Sequence, residues 1–121
     1  ISGASTIFTF SAVTYSNDAK EKILNVKNMT LKKFGAVSEQ TVSEMLDGLM
    51  SKKLSDIEIA VSGIAGPLSD DTAKEVGLVY IGVAGKKGKK IKEFRFGNIG
   101  RDKIRHNTVL AMLRMLLAHN L

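Results

Sequence analysis

Apolar positions along the chain recur with two different periods, and the switches between them predict where its elements begin and end. Residues 10–16, Phe-Ser-Ala-Val-Thr-Tyr-Ser, are rich in β-branched and aromatic types and predict a strand. Ser16 and Asn17 are both good caps, so a helix is expected from about Asp18 towards Asn25. A short helical turn over 30–34 ends at Gly35. Ser38 then caps a longer helix to about Leu54, because Val42, Met45, Leu46, Leu49 and Met50 fall at helical spacing on one core face.

The period then shortens. Ile57-Glu-Ile-Ala-Val61 reads as a strand, and Gly63-Ile-Ala-Gly-Pro67 after it reads as a loop. Leu78-Val-Tyr-Ile-Gly-Val-Ala84 is continuously apolar, the mark of a central strand buried on both faces. Gly85-Lys-Lys-Gly-Lys-Lys90 supplies glycine for a tight hairpin. Residues 91–96 return as an antiparallel edge strand with Phe94 and Phe96 on one face and Glu93 and Arg95 on the other. A last helix over 101–118 carries Val109, Met112, Leu113 and Leu116 on its expected core face. Leu110, Met115 and Leu117 extend that character around the cylinder, so burial on a second side or a subunit contact is expected, and with it a homo-oligomer. The order of elements predicts an α/β domain, a three-layer α/β/α sandwich around a mixed sheet.

Composition narrows the chemistry. With 121 residues, 44% of them hydrophobic, one domain over 1–121 is expected. The absence of cysteine excludes disulfides, thiolate nucleophiles and cysteine-bound metals. No apolar run is long enough to span a bilayer and no secretory signal pattern opens the chain, so a soluble, cytoplasmic protein with no membrane partner is expected. The net charge is +6, but Lys86, Lys87, Lys89, Lys90 and Lys92 account for all but one unit of it. That hairpin reads more readily as a solubilising turn, since it lacks interleaved aromatics; a nucleic-acid partner is not the expectation, and nucleic-acid binding through Lys86–Lys92 stands as a third reading.

Lys20 is the residue that local physics singles out. In the first turns of a helix the unpaired amides disfavour an ammonium, so a lysine there is easier to deprotonate and can serve as a base. A solvated Lys20 with Asp18 and Glu21 offsetting the field fits the same position. Tyr15 suits either a packing ring or one that stacks on a substrate. Ser62, Gly63, Ile64, Ala65 and Gly66 follow a strand and could let backbone amides approach a ligand, although a structural turn fits equally well and the spacing matches neither phosphate-loop motif. Arg101 and Arg105 share a face at the start of the last helix and could hold a phosphate or carboxylate, or be solvated. His106 and His119 have no metal-ligand spacing, so neither a metal nor a cofactor is expected.

Five ordered segments, Val13-Thr-Tyr-Ser-Asn-Asp-Ala-Lys20, Gly35-Ala-Val-Ser-Glu39, Val61-Ser-Gly-Ile-Ala-Gly-Pro67, Val76-Gly-Leu-Val-Tyr-Ile-Gly82 and Phe96 to Arg101, resemble the C-terminal domain of the CinA competence/damage-inducible protein family. The resemblance covers essentially the whole chain. It implies a nicotinamide-nucleotide amidohydrolase that converts nicotinamide mononucleotide and water to nicotinic acid mononucleotide and ammonia, in a sandwich whose sheet is mostly parallel with one antiparallel strand. It also implies a serine nucleophile paired with the lysine at position 20. The family carries that serine in an Ala-Glu-Ser-Cys-Thr-Gly-Gly motif upstream of these segments. Ile1-Ser-Gly-Ala-Ser matches the family's Pro-Gly-Ser-Ser region, with Ser2 for proline, so the first strand, first helix and nucleophile are expected to lie outside this sequence. Substrate donors are expected near Ser16, Asn17 and the 62–66 segment, with Arg101 or Arg105 on the phosphate. Leu68-Ser-Asp-Asp71, Lys74-Glu-Val-Gly77 and Gly97-Asn-Ile-Gly-Arg101 depart from the family pattern. A non-catalytic nucleotide-binding module is the alternative reading.

Overall fold

The computed structural model describes residues 1–69 and 73–119; Asp70 and Asp71 of the departure at 68–71 lie outside them. A short 3-10 turn, Ala4–Thr6, leads into an arm over 8–16 without regular secondary structure, followed by α1 (Asn17–Leu24), α2 (Asn28–Phe34) and α3 (Glu39–Ser51). Then come β1 (Glu58–Gly63), β2 (Leu78–Gly85), β3 (Gly88–Arg95) and α4 (Arg101–Ala118). Both serine caps form as expected: the Ser16 side chain accepts from the Ala19 amide, and that of Ser38 from the Thr41 amide. Asn25 closes α1 in the left-handed conformation, φ 57°, which asparagine tolerates.

The arm corrects the first expectation. Residues 10–16 have strand composition but are not in a strand, because no neighbouring strand bonds to them among the described residues. β propensity is a preference for a pleated, partnered surface, and without the partner it does not build a ladder. β1 in turn runs two residues further than expected, so Ser62 and Gly63 pair with Tyr80 and Val79 rather than opening the loop.

The three described strands are ordered β1-β2-β3, and both pairings are antiparallel. The expected mostly parallel sheet is therefore not what they form. A parallel return needs a crossover, usually a helix, and no helix lies between β1 and β2 among the described residues. β2 is central, as its continuous apolar run predicted. Val79, Ile81 and Val83 join Ile104, Ala111 and Met115 of α4 in one cluster. Ala84, with Tyr80 packed alongside, joins Val42, Met45 and Leu46 of α3 in another, so helices cover both faces.

Two glycines set the distance at which these layers meet. A Cβ at Gly82 would lie 2.6 Å from Leu46 Cδ1, and one at Gly48 only 2.0 Å from the Leu24 carbonyl oxygen, so α3 approaches both the sheet and α1 through missing side chains. In α4 the core face is Ile104, Ala111 and Met115, while Val109 and Leu113, expected in the core, are exposed. Apolar residues surround that helix, so overlapping stripes left its period undecided.

Candidate functional site

Lys20 is 7% exposed, although it lies one turn inside the start of α1. Its Nζ donates to the Thr14 carbonyl at 2.6 Å. Among the described residues no carboxylate pairs with it: Asp18, placed by sequence to offset its charge, forms an exposed pair with Lys22 at 3.0 Å. Burial without a counter-charge lowers the Lys20 pKa from its ordinary 10.5, favouring the neutral amine. A buried lysine whose charged form is disfavoured can accept a proton, and its burial separates this side chain from the solvated reading.

A second feature joins distant parts of the chain. Arg101, at the first position of α4, donates through Nη1 to the Gly66 carbonyl at 3.1 Å and through Nη2 to the Tyr15 hydroxyl at 3.3 Å. Tyr15 is 83% exposed, so its ring is open to a ligand. At the other end of the arm Thr9 Oγ1 donates to the Leu54 carbonyl at 2.9 Å. The arm thus spans β1 from just before its start to just beyond its end, in the same direction. No backbone hydrogen bond joins the two among the described residues.

The other expected site residues are placed unequally. Ser16 is occupied as the α1 cap and Asn17 is exposed beside it. Ser62 Oγ is turned to structural use, donating to the Ala36 carbonyl at 2.8 Å. Ile64 is buried with both backbone groups engaged, its amide to Leu78 and its carbonyl from Gly77. Gly63 lies in β1, while Ala65 and Gly66 are half-buried in the loop that Arg101 reaches. Arg105 is exposed one turn further along α4. The structure therefore gathers Tyr15, Gly66 and Arg101 at one end of the arm, next to Thr14 and Lys20. The pKa of Tyr80, outside this group, is raised to about 12, chiefly by its hydrogen bond to Glu93.

Two contributors escaped the sequence reading. Thr14 acts through its carbonyl, which no side-chain pattern can reveal. Lys74 Nζ donates to the Phe34 and Val37 carbonyls, both at 2.5 Å, and so braces the turn before α3 against the 64–77 connection. Its only signal was the lysine retained in Lys74-Glu-Val-Gly77. Among the described residues no cluster of histidine and acidic side chains could hold a metal ion, and no helix is long and apolar enough to cross a membrane.

The profile of the CinA C-terminal domain matches residues 1–119. The chain belongs to the CinA C-terminal domain family. A CinA-like protein of Endomicrobium trichonymphae is 47% identical over 119 residues, 97% of this chain and 28% of that protein. A putative competence-damage inducible protein of Caldicellulosiruptor bescii is 46% identical over 116 residues, 96% of this chain and 28% of that one. The crystal structure of a competence/damage inducible protein from Agrobacterium tumefaciens superposes with a TM-score of 0.84 at 44% identity, over 90% of this chain and 67% of that one. One from Klebsiella pneumoniae gives 0.83 at 33% identity, over 90% and 69%. This CinA domain thus spans little more than a quarter of the curated relatives it matches.

Proposed function

We propose that the domain is the catalytic unit of a nicotinamide-nucleotide amidohydrolase, deamidating nicotinamide mononucleotide to nicotinic acid mononucleotide and ammonia in the cytoplasm. The observation that carries the reading is Lys20, buried, without a carboxylate partner among the described residues, and lowered in pKa by desolvation. A neutral Lys20 takes the proton from a serine hydroxyl as that oxygen attacks the carboxamide carbon. The protonated Lys20 returns that proton to the amide nitrogen as the tetrahedral intermediate collapses with loss of ammonia, and water hydrolyses the acyl-enzyme to the acid and the free serine. The serine belongs to the family motif expected upstream of these segments; to act with Lys20 it would sit on a strand running between the arm and β1, within reach of Lys20 Nζ. Such a strand would add a parallel neighbour to β1 and complete the mixed sheet of a three-layer sandwich. Arg101, held between Tyr15 and Gly66, is suited to the substrate phosphate, with Tyr15 against the pyridine ring.

The decisive measurement is ammonia release from nicotinamide mononucleotide by a protein that includes the serine motif. Lys20→Met should lower the rate about 10²–10⁴-fold, the usual worth of a positioned base, with an unchanged circular dichroism spectrum. An unchanged rate would remove Lys20 from the mechanism. Calorimetric binding of the nucleotide without ammonia release would instead support a non-catalytic binding module.

A further inference from the structure

The register of the β2–β3 hairpin puts four residues of the lysine-rich segment and its continuation on one face. Lys90 pairs with Val83, Lys92 with Ile81 and Phe94 with Val79, and these β2 residues face α4. Phe96 continues the alternation and stacks on Phe94, ring centroids 5.6 Å apart and 14° from parallel. The intervening residues face α3, where Lys89 binds Asp47 at 2.7 Å. One face of the edge strand therefore reads Lys-Lys-Phe-Phe, two cations leading onto two rings, a grouping that the linear sequence hides.

α4 packs chiefly on β2, and Phe94 and Phe96 pack against the cluster it forms while staying partly exposed. Arg101 and His119, five full turns apart, mark one flank of the helix: Arg101 reaches Tyr15 and Gly66, and the His119 ring lies against the position of Gly85. His119 sits over the end of β2 while Arg101 reaches past the end of β1, so exposed Lys103 and Arg114, on the side of the helix turned from Arg101, fall towards β3. The result is a groove with a partly exposed aromatic floor and lysine and arginine along both walls. None of Lys90, Lys92, Lys103 and Arg114 pairs with a carboxylate among the described residues. Its length follows from the eight residues of β3, about 27 Å. We propose that this groove binds single-stranded nucleic acid. Unpaired bases offer flat faces to the Phe94–Phe96 stack, and successive phosphates offer negative charge at the spacing of the walls. An acidic peptide satisfies the cations but leaves the aromatic floor without a matching plane. The site is separate from Lys20 and stands whether or not the domain is an amidohydrolase.

The test is fluorescence anisotropy of a labelled single-stranded DNA of roughly 12 nucleotides, titrated with the full-length protein over a range of salt. Binding is expected at low salt and falls linearly on a log–log plot. Lys90→Glu with Lys92→Glu should weaken it at least about tenfold and reduce the salt slope by about 1.4, two phosphate contacts at 0.7 each. Lys86→Glu with Lys87→Glu makes the same charge change at the turn, outside the groove, and should cost less than about threefold. Phe94→Leu, which keeps apolar packing but loses the ring, should weaken binding severalfold. No binding at low salt, equal losses from the two charge-reversal pairs, or competition by polyglutamate as effective as by the oligonucleotide would each overturn the assignment.

Discussion

Lys20 carries two linked consequences of being buried next to a carbonyl rather than a carboxylate. If the neutral amine is the base, kcat/KM for nicotinamide mononucleotide should rise with pH and level off above the Lys20 pKa. That inflection lies below 10.5 because desolvation lowers the folded-state value. A rate independent of pH up to 10.5 would show that the amine does not titrate in the catalytic step. Stability follows the same proton. Between the lowered folded pKa and the ordinary 10.5 the unfolded chain binds more protons than the folded one, so stability should rise with pH across that window and lie flat below it. Denaturation midpoints of the wild type and Lys20→Met, compared across that window, isolate this contribution, since methionine removes the titration. The position of Lys20 in the first turns was legible from the capping residues. Its burial was not, because the arm that covers it is held by contacts at Leu54 and Arg101, remote in sequence.

Elements whose signals are local were read well, and those defined by a distant neighbour were not. Ser16 and Ser38 cap the helices they were expected to cap because the acceptor and the amide lie within one turn. The central place of β2 was visible in its unbroken apolar run. The arm shows the opposite case, since its β-branched and aromatic residues describe a strand whose partner they cannot supply. α4 shows a third, with apolar residues on several faces and only tertiary contact selecting Ile104, Ala111 and Met115. The α1–α3 contact rests on Gly48, and here a substitution gives a definite outcome. Gly48→Ala puts a Cβ against the Leu24 backbone, where no side chain can swing aside, and should cost at least about 1–3 kcal/mol by chemical denaturation. Moving α1 also moves Lys20, so turnover should fall with stability. A variant as stable as the wild type would mean that the two helices separate more easily than their contact indicates.

At the scale of the whole molecule the sheet has two open edges of different character among the described residues. β3 carries Lys89, Lys90 and Lys92, and lysines on an edge discourage pairing with another strand. β1, with Ile59, Ala60, Val61 and Ser62, has no such protection, and the arm runs beside it without bonding to it. Amide hydrogen exchange reads this contrast directly. β2 bonds to strands on both sides and is covered on both faces, so its amides should exchange slowest, while those of residues 9–15 should exchange fastest outside the termini. The proposed mechanism adds a specific change. When the chain is extended at its N-terminus by the serine-bearing motif, a strand entering beside Lys20 has unpaired backbone groups to meet on β1 and on the arm. Amides of 9–15 and alternate amides of β1 should then become protected together, because one strand bonds to both. If they stay as exposed as before, no strand occupies that position and the serine cannot reach Lys20 Nζ by this route. Protection of β1 alone would place the strand on the edge but leave the Thr14 carbonyl, and with it Lys20, in the arrangement described here.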